Sequence, residues 1–276
     1  MTWWPKIQQN PIITLTSDFG LDDPFVGIMK GVIYSITGQV RIIDITHGIS
    51  AHDVMHAAVV IQSSYSYFPR GSVHVVVVDP GVGGTRHPLL VITETGYFVG
   101  PDNGIFSAIY KNSRQVDCIK LTASKYFKHP VSQTFHGRDI FGPVAAWLSR
   151  GVEPKELGQF ITDPVEIQLP FPRRLGTDKL VGTILCSDKF GNIVTNISSK
   201  EFKSLFCKKD FKLLINGHLI NRMYFSYAEA KQKEIFAIWG SSGLLEISSN
   251  QNFAAKLLKV KPYDSFEVEI NLQEKG

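Results

Sequence analysis

Apolar and polar positions along this chain follow two different rhythms. Over the first 150 residues, short apolar runs trade places with longer stretches of helical spacing. "IITLTSD" (12–18), "RIIDIT" (41–46) and "SVHVVVVD" (72–79) read as strands, while "FVGIMKGVIYSIT" (25–37), "DVMHAAVVIQSSYSYF" (53–68) and "DIFGPVAAWLSRG" (139–151) read as helices. The run after His74 is apolar at every position up to Asp79, which predicts a strand buried on both faces. "PLLVITETGYFVGPDNG" (88–104) reads as a hairpin or an insertion. Strands alternating with helices predict an α/β domain with a mainly parallel sheet.

The rhythm changes near residue 163. "DPVEIQLPFPRRLGTDK" carries Pro164, Pro170 and Pro172 and reads as an extended connector. Beyond it, "KLVGTILCSD", "NIVTNIS", "FKLLINGHLI", "EIFAIWG", "GLLEIS" and "DSFEVEI" are short strands, with a hairpin signal at Asn216-Gly217 and one helix, "NFAAKLLKV". The expected organisation is an N-terminal α/β domain over 1–170 and a smaller C-terminal β-barrel or sandwich domain over 176–276.

Composition narrows the class without choosing a function. Of 276 residues, 43% are apolar and 20% charged, which suits a globular protein, and no stretch approaches a membrane span. The net charge of +4 is spread along the chain apart from "FCKKDFK", so a nucleic-acid partner is not expected, nor a membrane one. Cys118, Cys186 and Cys207 are odd in number and widely spaced, which predicts reduced thiols. "MTWWPKIQQNP" lacks the apolar segment of a signal peptide, and a cytoplasmic location is the expectation.

Candidate chemistry gathers where strands end, since ligands of open α/β sheets bind there. Asp18, Asp44 and Asp79 belong to three of the predicted β runs. A single such aspartate commonly caps a helix or closes a turn, a reading that suits Asp18. It suits Asp79 less, because "PGVGG" postpones any helix before Arg86. In "SQTFHGRDIFGP", His136, Arg138 and Asp139 precede a helix, with Gly137 permitting a close backbone approach. In "SDKFGNIVTNI", Asp188, Asn192, Thr195 and Asn196 surround Phe190; a β-turn and a polar ligand edge are equally compatible with that pattern. Neither HExxH nor HxH occurs, and "GVGG" lacks the register of a nucleotide loop.

Taken together and in order, "LTSDFGLDDPFVGIMKG", "VVDPGVGGTRHPLLV", "GPDNGIF", "TFHGRDIFGPVAAWL", "DKFGNIVTNI" and "GSSGLLEISSNQNFAAKLL" resemble the S-adenosyl-L-methionine hydrolase (adenosine-forming) family. This family is also called SAM hydroxide adenosyltransferase and is related to fluorinating and chlorinating enzymes. The resemblance runs from about residue 12 to residue 270. It implies water attack at ribose C5′ of S-adenosyl-L-methionine, giving adenosine and L-methionine, with no metal and no separate cofactor. It further implies a homotrimer with substrate between one subunit's N-terminal domain and its neighbour's C-terminal domain. The positions matching the family's water-activating set are Asp79, Arg86 and His136. Asp18 matches the acid on the ribose diol, with Asp23 a further substrate position; Asp188, Phe190, Asn192 and Ser241 match groups around the methionine end. Where the halogenating relatives carry a tyrosine, this chain has Asp79, and it has His136-Gly137 where they carry Tyr-Ser, which favours hydrolysis. The alternatives are a non-catalytic protein that binds S-adenosylmethionine or adenosine, and a halide-using 5′-halo-adenosine synthase.

Overall fold

A computed structural model describes residues 3–176, 179–200, 202 and 211–270. Cys207 and most of "FCKKDFK" therefore lie outside the described residues. The chain forms two compact units that divide between Leu169 and Pro170. Among the described residues no helix is long and apolar enough to cross a membrane.

The first unit is built on a seven-stranded sheet in the order β2-β1-β3-β5-β4-β6-β7. Its strands are β1 (Ile12–Ser17), β2 (Arg41–Thr46), β3 (Ser72–Val77), β4 (Pro88–Thr93), β5 (Gly96–Pro101), β6 (Val116–Leu121) and β7 (Gly158–Ile161). β2, β1, β3 and β5 run parallel, while β4, β6 and β7 continue the sheet antiparallel. Every residue of β3 is buried, as a strand flanked by two others and covered on both faces requires. α1 (Phe25–Ile36) and α4 (Gly142–Ser149) cover one face through Met29, Ile33 and Val144; α2 (Val54–Ser64) and α3 (Ser107–Asn112) cover the other through Ala57, Ile61 and Ile109. The result is a three-layer α/β unit with a largely parallel sheet, the expected class.

Two details refine the expected elements. "PLLVITETGYFVGPDNG" forms a hairpin whose second strand, β5, enters the sheet beside β3. Trp4 donates its indole N–H to Asp117 at 2.6 Å and stacks near Phe160, so the N-terminal "WWP" segment straps the far edge of the sheet.

The second unit is a curled nine-stranded sheet. It comprises β8 (Arg173–Leu175), β9 (Lys179–Ser187), β10 (Ile193–Ser198), β11 (Phe211–Ile215), β12 (His218–Ile220), β13 (Met223–Tyr224), β14 (Ile235–Trp239), β15 (Leu244–Ser249) and β16 (Ser265–Ile270). The short helix α5 (Ala254–Leu258) packs Ala254 and Leu258 into the same core as Ile193, Leu245 and Ile247.

Candidate active site

In the first unit, Asp79, Arg86 and His136 come together from three places in the chain. Asp79 follows the end of β3, and Arg86 ends the glycine-bearing loop that leads to β4. Arg86 Nε donates to Asp79 Oδ1 at 2.9 Å, and Arg86 Nη2 donates to Asp79 Oδ2. The same Nη2 donates to His136 Nδ1 at 2.6 Å. Side chains of Arg86 and Asp79 are only 9% and 6% exposed, so the pair is charge-balanced but largely removed from water. Phe141 lies beneath the guanidinium, its ring centroid 5.4 Å from Cζ.

Two consequences follow for the chemistry. Since a guanidinium only donates, the lone pair of His136 Nδ1 is occupied, and the neutral ring must carry its hydrogen on Nε2. Burial, and then the neighbouring Arg86 charge, push the His136 imidazole below its ordinary range, so neutral is its resting form near pH 7. Second, Arg86 Nη1 is buried and has no hydrogen-bond partner among the described residues. A buried cationic donor without an acceptor is costly, and an oxygen ligand would relieve it.

The loops are held by specific contacts. Gly83 adopts φ +74°, and a Cβ there would lie 2.3 Å from the Gln133 carbonyl oxygen, so the 80–86 loop packs directly on the segment that leads to His136. His136 itself precedes a π-helical turn, Gly137–Phe141, which feeds α4. Fully buried Asp139 accepts from Ser132 N at 2.8 Å and from Arg138, pinning that turn. The close approach expected at Gly137 is to the core: Met29 Sδ, Phe135 and Val77 crowd the place of its missing Cβ.

Asp18, Asp23, Asp79 and His136 line one cavity of about 340 Å³, together with His52 and Phe135. Asp18 is no helix cap, because α1 is preceded by Pro24 and shows no side-chain cap. Instead, Asp18 Oδ2 accepts the backbone N–H of His52 at 2.9 Å, with His52 in the left-handed region at φ +67°. Ser17 supports this loop: its Oγ lies 2.7 Å from His47 Nδ1 and accepts from Phe19 N at 3.3 Å. Asp44 belongs elsewhere. It sits inside β2 rather than at its end, pairs with Lys30 at 2.5 Å, and lies 3.1 Å from His47 Nε2, so it supports the Asp18 loop from behind instead of facing the cavity.

The second unit holds its own cavity of about 970 Å³, lined by Asp188, Phe190, Asn192 and Ser241, the remaining expected positions. Asp188 is used mainly by its own turn. Its Oδ1 accepts from Phe190 N at 2.9 Å and Asn192 N at 2.8 Å, and its Oδ2 from Asn192 Nδ2 at 2.8 Å. Thr195 and Asn196, also noted in the sequence, are buried structural groups: Thr195 bonds the Leu245 carbonyl and Asn196 the Thr183 N–H. The sequence pattern missed Tyr227, Trp239, Glu246 and Phe253 on the walls. Glu246 was visible only as a charge breaking the apolar run "GLLEIS". Among the described residues no group of three or more His, Cys, Asp or Glu side chains could hold a metal ion.

Comparison with known proteins bears on both units. The family profile "SAM hydroxide adenosyltransferase N-terminal domain" matches residues 13–158, and "SAM hydroxide adenosyltransferase C-terminal domain" matches residues 182–267. A protein of Methanocaldococcus jannaschii named (R)-S-adenosyl-L-methionine hydrolase is 35% identical, the match covering 93% of this chain and 95% of that protein. A Nocardia brasiliensis protein named fluorinase is 26% identical over 95% of this chain and 98% of its own. Among solved structures, an uncharacterized conserved protein from Thermotoga maritima superposes with a TM-score of 0.87 at 32% identity, covering 93% of this chain and 99% of that one.

Proposed function

The chain belongs to the SAM hydroxide adenosyltransferase family, and from that premise we propose that it hydrolyses S-adenosyl-L-methionine to adenosine and L-methionine. The observation that carries this reading is the buried Asp79–Arg86–His136 cluster, in which Arg86 Nη1 still requires an oxygen acceptor. The oxygen is that of the attacking water. Arg86 Nη1 donates to one of its two lone pairs, with His136 Nδ1 holding the guanidinium in place, which fixes the water and turns its other lone pair toward C5′ of the ribose.

Free hydroxide is not required. Generating it at pH 7 from water of pKa about 15.7 would cost roughly 12 kcal/mol. As the C5′–O bond forms and the C5′–S bond breaks, the bonding pair leaves with sulfur and the cationic sulfonium becomes a neutral thioether. The attacking oxygen gains positive charge and its proton becomes strongly acidic, so a carboxylate suffices as acceptor. Asp79 has lone pairs beyond the two that Arg86 uses, and takes that proton on its way to solvent. The Asp18 oxygen not committed to His52 receives the ribose hydroxyls, with Asp23 on the same cavity wall. The amino-acid end occupies the aromatic cavity of Asp188, Phe190, Asn192 and Ser241. No separate cofactor takes part.

The proposed assembly is a homotrimer in which each substrate is shared between one subunit's N-terminal unit and a neighbour's C-terminal unit; light scattering of the active protein reads this directly. The hydrolysis itself is tested by incubating the purified protein with S-adenosylmethionine. Stoichiometric adenosine and methionine support it. Tight binding with no product points instead to a binding protein, and a halide-dependent 5′-halo-adenosine to a synthase.

A further inference from the structure

Of the ordered motifs in this chain, "GPDNGIF" is the one to whose residues the proposed reaction gives no task. It forms the turn that follows β5 and leads into α3. Its contacts converge on the loop between Asp79 and Arg86. β3 pairs with β5 as far as Val75 and with β1 as far as Val77, so Val78 lies beyond both ladders. Val78 is fully buried, and its carbonyl needs a donor from elsewhere. Asn103 Nδ2 donates to that carbonyl at 2.9 Å, while Asn103 Oδ1 accepts the Ile105 N–H at 3.2 Å. At the other end of the loop, Asp102 N donates to the His87 carbonyl, one residue past Arg86, at 2.9 Å. A single turn therefore holds the backbone on both sides of the Asp79–Arg86 pair.

The turn is itself held from behind by the segment that follows β7. Asp102, only 5% exposed, accepts the Val165 N–H at 2.8 Å through Oδ1. Ser107 Oγ accepts the Ile167 N–H at 2.8 Å and donates to the Gly104 carbonyl at 2.7 Å. Gly104 adopts φ +91°, and a Cβ there would lie 2.4 Å from Ile167 Cγ2, so Ile167 closes directly on the turn. Asn103 is not on the walls of the 340 Å³ cavity and acts only through what it holds. The peptide unit it fixes is planar and contains the Val78 carbonyl, the Asp79 nitrogen and the Asp79 Cα. Rotation of that plane would swing the Asp79 carboxylate, and with it the guanidinium of Arg86.

We propose that Asn103 is a positioning residue for the reaction: by fixing the Val78 peptide it sets Asp79, and through Asp79 the guanidinium of Arg86, against the attacking water. The inference rests on the hydrolase reading. A purely structural asparagine would affect melting temperature and leave the kcat of the folded protein alone. A positioning one lowers kcat, because a misplacement of about 1 Å at the reacting oxygen costs roughly 10² in rate.

The test uses Asn103→Asp, which keeps the shape and the acceptor for Ile105 but loses the donor to Val78. Asn103→Ser, whose short oxygen still suits the turn, is the second variant should the first fail to fold. Thermal melts, calorimetric Kd for S-adenosylmethionine and steady-state kinetics are measured for each, alone and combined with Arg86→Lys. Hydrogen exchange of the Arg86 Nε–H, followed by NMR, reads the Asp79–Arg86 contact without turnover. The expected result is a kcat lower by about tenfold or more with Kd within about threefold, and faster exchange at Arg86 Nε. In the Arg86→Lys background the same substitution should cost less than about threefold, because the group it positions is already gone. An unchanged kcat in a folded variant, or a loss equally large with and without Arg86, overturns the assignment. If the wild type shows no turnover, the hydrolase reading fails and exchange decides the matter: faster exchange in the variant supports the hold of Asn103 on the pair, and equal exchange overturns it.

Discussion

Replacing Arg86 by lysine separates the geometry of the guanidinium from its charge. Arg86 makes two contacts to Asp79 and one to His136 Nδ1, and its Nη1 is buried without a partner. Truncation to alanine would strand a 6%-exposed carboxylate, with a folding penalty of about 3–5 kcal/mol that confuses any kinetic reading. Lysine keeps the counter-charge for Asp79. Its single ammonium cannot also hold His136 and present a donor in the place of Nη1. Loss of the donor that positions the attacking oxygen, equivalent to a misplacement of about 1 Å, costs roughly 10² in kcat. Arg86→Lys should therefore lower kcat by about that factor, with KM changed only a few-fold. Adenosine release under saturating substrate gives kcat, and a thermal melt confirms that the variant folds. A folded Arg86→Lys protein with kcat within about fivefold of wild type would refute the role given to the guanidinium.

Three other consequences are open to measurement. Asp18→Ala should raise the substrate Kd by roughly 10- to 150-fold, the worth of about 1.5–3 kcal/mol in charge-assisted hydrogen bonds, with a much smaller effect on kcat; an unchanged Kd removes the ribose from Asp18. Because burial and Arg86 depress the His136 pKa, the working neutral ring persists through neutral pH, and kcat should fall only as pH drops through that lowered value. The same depression makes folding stability complete above the ordinary imidazole pKa and diminished as pH falls through the folded one; a His136→Gln variant should lose the acid limb of the rate profile, and its retention would assign that limb to another group. Gly83→Ala puts a methyl against the Gln133 carbonyl at a positive φ, so it should displace the Arg86 loop and lower kcat, while β3 and β4 keep the fold and the far-ultraviolet dichroism. Undiminished kcat in that variant would show that the loop tolerates the shift.

Much of this architecture is legible in local patterns. The β-branched run before Asp79 is a buried central strand because nothing polar interrupts it once His74 is accounted for, and His74 is itself satisfied by Thr14 Oγ1 at 2.8 Å. The β-rich second half follows from short apolar runs separated by turn residues. What local pattern cannot carry is the direction of a strand-borne side chain and the partner it finds. Asp44 reads like the other strand aspartates, yet Lys30 from α1 claims it. Asp188 suits a turn and a ligand edge equally, and the structure shows the turn fully formed. Glu246 gives almost no signal in the chain, because its neighbours Gly240 and Tyr227 are brought beside it by a neighbouring strand and a preceding turn. The meeting of Asp79, Arg86 and His136 is likewise tertiary: 50 residues separate Arg86 from His136, and only the resemblance of ordered motifs anticipates it.

The most direct test of water attack at C5′ is turnover of S-adenosylmethionine in ¹⁸O-labelled water, followed by mass spectrometry of both products. Adenosine carrying one ¹⁸O at its 5′ oxygen, with unlabelled methionine, is the predicted result. Unlabelled adenosine, or label found only in the amino-acid product, would contradict the account.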